Sequence, residues 1–269
     1  MSTVETLLRR ERAVTAAGLA VLILLAWLYV WRGAGMGMSA LDMTRLTLFP
    51  HAQMEPMAGM PMSAASSWAT VFAMWWIMMI AMMTPSAAPL VLLYGRVLRH
   101  AGAEARARTA YAPAAVLVLG YVAIWLLFAA AAATLQAALQ SAGLISAMML
   151  SSTSAVLSAS VLIAAGLYQL SPLKHACLRH CRGPVAFLTT HWRPGRIGAF
   201  VMGLQHGVWC VGCCWLLMAL LFVGGVMNIA WIALLALLVL AEKVAAHGVA
   251  VSRAAGGILI VWGVATLAV

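Results

Sequence analysis

The segment His206–Trp215, reading HGVWCVGCCW, places one histidine and three cysteines inside an apolar run. On an α-helix His206, Cys210, Cys213 and Cys214 fall at i, i+4, i+7 and i+8, so a single stripe carries all four side chains. Thiolate sulfur is a soft donor that selects Cu(I) or zinc, and imidazole suits the same ions. Two readings stand for this set: a metal or thiol-redox site, or small residues that let helices close together beside Gly203, Gly207 and Gly212. Cys213 and Cys214 are adjacent and cannot address one centre equally well. The expected ligand subset is therefore His206, Cys210 and one of Cys213 or Cys214.

Two further groups of soft side chains follow the same logic. In WWIMMIAMMTPSAAPLVLLYGRV, Met74, Met78 and Met82 recur at four-residue spacing, and Met78, Met79, Met82 and Met83 form a thioether ridge, read either as core packing or as a ligand set. Pro85 and Pro89 interrupt the backbone ladder just beyond it, which predicts a kinked helix at a packed or functional place. Cys177 and Cys181, in YQLSPLKHACLRHCRGP, share a face at i, i+4 if that stretch is helical. They are read as metal handling or as a plain surface helix, and lack the doubled spacing of a closed zinc finger.

A fourth group lies between Gly33 and Trp68, where Met36, Met38, Met43, His51, Met54, Met57, Met60 and Met62 sit among Gly, Pro and Ser. A solvated loop has no core for methionine to fill, and thioethers remain ligands where thiols would oxidise. His51, Met54, Met57, Met60 and Met62 are thus candidates for outer capture of Cu(I). The alternatives are a hairpin dipping its methionines into a bilayer surface, or a partner contact.

The elements that must position these groups are membrane helices. Hydrophobic residues make up 65% of the 269 and charged residues only 8%, far from the balance of a water-soluble domain. The expected fold is all-α and polytopic, with seven spans near 14–32, 69–94, 113–138, 145–170, 198–222, 226–246 and 250–268, or six if the last two form a kinked or re-entrant unit. Arg9, Arg10, Arg12, Arg96, Arg99, Arg106, Arg108, Lys174, Arg179, Arg182, Arg193, Arg196, Lys243 and Arg253 then fall on one side, which predicts a cytoplasmic N-terminus. The chain divides into a signal-anchor span (1–32), a Met-rich extracytoplasmic loop (33–68) and a helical core (69–269) with a cytoplasmic Cys-containing loop at 171–197.

The formal charge of +10 is topological, since the cations flank spans rather than build a basic domain, and nucleic-acid binding is not expected. The lipid bilayer is the first partner. Glu242, beside Lys243 near the end of the sixth span, is read as snorkelling or paired, or as an ion relay. The sequence holds no phosphate-cradling glycine loop, HExxH, nucleophile elbow or spaced carboxylate pair, so no hydrolytic reaction is assigned.

The blocks MMIAMMTPSAAPLVLLY, YQLSPLKHACLRHCR and QHGVWCVGCCWLLMALLFVGGVMNIAWIALLALLVLAEK resemble a bacterial domain-of-unknown-function family of predicted metal-binding integral membrane proteins, over roughly Trp68 to Gly248. The resemblance implies a multispan inner-membrane protein with a metal site and no assigned reaction. It bears on His206, Cys210, Cys213, Cys214, Cys177, Cys181 and the Met78–Met83 ridge. Together these readings predict an inner-membrane protein that binds Cu(I) and transports or delivers it. The alternatives are an accessory subunit that works with other membrane subunits or a copper protein, and a thiol-redox membrane enzyme.

Overall fold

The structure, a computed structural model, describes residues 3–35, 41, 44, 67–101, 111–146 and 150–268. The described chain is helical, with no strand beyond one isolated bridge between Ile145 and Ser152. In chain order the helices are α1 (Thr3–Trp31), α2 (Trp68–Ala101), α3 (Tyr111–Ser141), α4 (Ala155–Leu170), α5 (Pro172–Arg182), α6 (Pro184–His191), α7 (Gly195–Ala219), α8 (Leu221–Gly224), α9 (Ile229–Val244) and α10 (Gly248–Ala268). The outer-loop candidates His51, Met54, Met57, Met60 and Met62 lie outside the described residues.

Five helical stretches are long and apolar enough to cross a membrane: Ala13–Trp31, Trp68–Leu98, Pro113–Ser141, Gly195–Gly224 and Gly248–Ala268. A sixth results if α4 and α5, bent by 65° where they meet, make one broken span. Among the described residues the count is five or six rather than the expected seven, and the reasons are local. The stretch read as 145–170 becomes helical only at Ala155, because Gly143 and Leu150 adopt left-handed backbone angles (φ +72° and +52°) and Ser154 caps α4 by accepting from the Leu157 amide. The stretch read as 226–246 supplies only the 16 residues of α9, short of the roughly 20 a bilayer core requires. Gly225 (φ +95°) turns the chain before it, and the Asn228 side chain caps it by accepting from the Trp231 amide.

Residues 171–197, expected as a loop, fold mostly as α5 and α6. Ser171 ends α4 and caps α5, its hydroxyl accepting from the Lys174 amide, while Pro172 occupies the first turn where no amide donor is needed. This Ser-Pro pair produces the bend and sends α5 across α7. The α5 side chains Lys174, Cys177, Leu178 and Cys181 are buried as a result.

Helix α3 packs along α7 and α4 along α10, while α2 lies against α1 and α3 and reaches α9. The α3–α7 seam brings backbones into direct contact: a Cβ built at Gly203 collides with the Leu117 carbonyl, and one at Gly120 collides with that of Phe200. Only glycine fits such a crossing. Gly203→Val is expected to force α3 from α7 and lower the thermal unfolding midpoint of the detergent-solubilised chain. The cost is about 3 kcal/mol or more, since rigid backbone rather than a side chain must yield. An unchanged midpoint contradicts this packing.

Candidate metal centre

Helix α7 holds His206, Cys210, Cys213 and Cys214 in one unbroken run, and all four side chains are buried. Helix α2 presents Met74, Met78, Met79, Met82 and Met83, each at most 1% exposed. Pro85 and Pro89 sit inside the same helix and cannot donate to Ala81 and Pro85, which loosens the ladder beside the ridge. The Met83 carbonyl there accepts from the Ser86 hydroxyl at 2.8 Å and from the Tyr121 hydroxyl of α3 at 3.1 Å.

The adjacent cysteines diverge. Cys213 Sγ lies 3.9 Å from Cys181 Sγ of α5, whereas Cys214 Sγ lies 3.8 Å from Met83 Sδ of α2. Each thiol also donates to the Cys210 carbonyl, at 3.1 Å and 2.9 Å, which fixes its rotamer. The structure thus brings together Cys181, Cys210, Cys213, Cys214 and Met83 from three helices. Cys181 and the α7 cysteines, read from sequence as separate groups on the cytoplasmic side and within the bilayer, meet because the bend at Ser171-Pro172 folds α5 against α7. All five cysteines are free thiols.

Other candidates stand apart from this contact. Cys177, on the same α5 face, points at Gly212, whose missing side chain leaves it room. His206 packs edge-on against Phe187 at 5.3 Å and tilted against Tyr121 at 5.8 Å, and its Nδ1 is buried with no hydrogen-bond partner. Met74, Met78, Met79 and Met82 share the core with the sulfur cluster, and only Met83 of the ridge makes a direct sulfur contact with a cysteine. Glu242 is buried in an ion pair with Lys174 at 2.7 Å. It also accepts from Gln169 at 2.7 Å, and Lys174 donates to Gln169 as well, so this carboxylate is paired.

Three groups at the centre were not singled out from the sequence. The ammonium of Lys243 donates to Cys210 Sγ at 2.8 Å and to Ser86 Oγ at 3.1 Å, in the interior. Tyr121 Oη lies 3.0 Å from Cys210 Sγ. Lys174 is fully buried. Lys243 offered a signal, because a lysine following Glu242 in a short apolar helix points about 100° around the helix from its neighbour and meets different partners. Tyr121, an ordinary aromatic in an apolar span, offered none.

Among the described residues, no three His, Cys, Asp or Glu side chains form a ready-made cage for a metal ion. What they form is a sulfur cluster around Cys210, in which Cys213 meets Cys181 and Cys214 meets Met83. With a metal–thiolate bond of about 2.3 Å, two sulfurs 3.9 Å apart subtend roughly 115° at a shared ion, between the tetrahedral and trigonal values, so both can bind one ion with room for a further donor. Thiols and a thioether select a soft ion, and the nearby carboxylate is already engaged, so the donor set fits Cu(I) and leaves a hard cation without ligands.

No curated protein and no solved structure matches the chain. A family model does match, over residues 72–266, which takes in α2 to α10 and every buried sulfur described above. That family, PpoB2, is described as a copper chaperone. The chain belongs to the PpoB2 family of copper chaperones.

Proposed function

We propose that the protein is a multispan membrane copper chaperone that holds Cu(I) on the buried sulfurs of α2, α5 and α7 and passes it to an acceptor copper protein. The observation that carries this is the pairing of Cys213 with Cys181 and of Cys214 with Met83, at 3.9 Å and 3.8 Å, across helices far apart in sequence. Copper here is cargo, so weakly constrained pairs serve better than a closed cage. An ion held by two or three sulfurs exchanges one donor at a time and need not meet water. Met74, Met78 and Met82 rise about 6 Å apart along α2 and provide intermediate donors toward Met83. The methionines of the segment 33–68, on this reading, load the ridge from outside an inner membrane.

Delivery is favoured over energised transport because the family is described as a chaperone and no nucleotide-binding motif is present. Competition of the purified full chain with a chromophoric Cu(I) chelator tests the site. Cys181→Ser and Cys213→Ser are each expected to weaken Cu(I) binding by about a hundredfold or more, since each removes one of two thiolates. Cys177→Ser should leave it unchanged. Equal retention of copper in all three variants overturns this assignment.

A further inference from the structure

One buried nitrogen beside the sulfur cluster has no partner. His206 is 2% exposed and its Nδ1 makes no hydrogen bond, although a buried polar atom left unpaired is costly. Packing gives no reason for it, since the ring lies against Phe187 and Tyr121 and a phenylalanine would fill the same space without an orphaned nitrogen. His206 stands one helical turn before Cys210, about 6 Å along α7. Tyr121 spans that step, its ring 5.8 Å from the imidazole and its hydroxyl 3.0 Å from Cys210 Sγ. On the other side Phe187 of α6 meets His206 edge-on at 5.3 Å and carries His191 stacked on its ring at 4.9 Å. Phe187 is buried, whereas His191 is partly exposed. His191 Nδ1 lies 2.7 Å from Thr190 Oγ1, which leaves Nε2 as the nitrogen for a ligand.

We propose that His206 and His191 are the donors that lead Cu(I) between the sulfur cluster and the α6 surface, with Phe187 as the plug between them, an inference that rests on the Cu(I) site proposed above. A bare ion crosses an apolar interior only at great cost, so each step out of the cluster needs a next donor within reach. Imidazole suits Cu(I), and an unpartnered Nδ1 one turn from Cys210 is such a donor. Imidazole brings no negative charge, so an ion at His206 lacks what thiolate sulfur gives it in the cluster. It rests there in passing, and the store stays on sulfur. Along α7 the contact with Met83 is made by Cys214 at one end of the soft stripe, and His206 stands at the other. Copper that arrives over thioethers therefore need not retrace them. Phe187 keeps water from the core, and the shift of one ring joins the two imidazoles.

The test separates rate from affinity. The full chain in detergent is loaded with one equivalent of Cu(I) and mixed rapidly with excess chromophoric Cu(I) chelator, and its affinity is measured separately by equilibrium competition. A donor used only in passing lowers the barrier to entry and exit alike. His206→Phe is therefore expected to slow transfer by about tenfold or more while leaving the affinity within about threefold of wild type. Phe187→Leu, which widens the passage, is expected to speed transfer by roughly threefold, and slower transfer contradicts its role as the plug. Equal rates for His206→Phe and wild type overturn the route and leave the sulfur site standing. A His206→Phe chain that loses copper as fully as Cys213→Ser makes His206 part of the store, which overturns the route as well. Should His206→Phe fail to fold, His191→Ala, at a partly exposed position, decides by the same measurement: transfer as fast as wild type sinks the idea. Wild-type protein that takes up no Cu(I), or whose uptake survives Cys181→Ser and Cys213→Ser, fails at the loading step and overturns the sulfur site, and the route with it.

Discussion

Glu242→Gln is expected to destabilise the folded chain by about 3 to 5 kcal/mol, more than the loss of any single hydrogen bond would, because it strands Lys174 in the interior. The lysine is fully buried and its ammonium has one carboxylate, at 2.7 Å; the Gln169 side chain, bridging the two, can donate to Glu242 but carries no charge. Replacing the carboxylate by an amide preserves shape, but one of its two accepting oxygens becomes an NH2 that faces a donor of Lys174 or Gln169. The loss is therefore the charge together with one hydrogen bond. The consequence is structural, since this pair ties the bent helix α5 to α9 and the same helix brings Cys181 to Cys213. Thermal unfolding followed by intrinsic fluorescence of the solubilised protein measures it. The double variant Lys174→Met with Glu242→Leu should recover most of the loss, because removing both members of a buried ion pair restores an apolar interior. A double variant as unstable as Glu242→Gln alone would show that shape, not charge, holds these helices.

The helices were legible in the sequence because each depends on a contiguous apolar run. The stretches containing α1, α2, α3, α7 and α10 could be marked off from hydropathy alone, since every residue that decides them is a neighbour in the chain. The bend between α4 and α5 was less so. Pro172 could be seen, but a proline after serine equally begins a loop, and only packing against α7 turns residues 172–182 into a buried helix. Likewise α9 was overextended, because Val226 and Met227 are as apolar as a helix needs, while the break is set by the left-handed Gly225 and the Asn228 cap.

The site divides along the same line. Helical spacing aligned His206 with Cys210, Cys213 and Cys214 and showed that Cys213 and Cys214 could not serve one centre equally. Which of them meets which partner depends on residues 32 and 131 positions away, so Cys181 and Met83 could be suspected as soft donors but not paired. Lys243 was harder still. A lysine at the end of an apolar helix normally reaches for water. That it turns inward to Cys210 follows from α9 being short and lying against α2, facts that exist only in three dimensions.

The strongest coupling in the molecule is expected between Cys210 and Lys243. Cys210→Ala removes the sulfur that faces the ammonium at 2.8 Å and leaves Ser86 as the remaining partner, so a fully charged lysine stays in the interior with a single neutral acceptor. The cost should be about 3 to 5 kcal/mol, as for other broken buried pairs. Lys243→Met alone should cost less, because a methionine fills the same volume without a charge. The double variant should then lie close to Lys243→Met and well above Cys210→Ala in stability, a non-additivity of about 2 kcal/mol or more in a double-mutant cycle. Unfolding of the copper-free chain is the right measurement, since it isolates the charge pair from any ligand. Additive effects of the two substitutions would mean that the sulfur and the ammonium are merely neighbours, and Cys210 would then be a copper donor without an electrostatic partner.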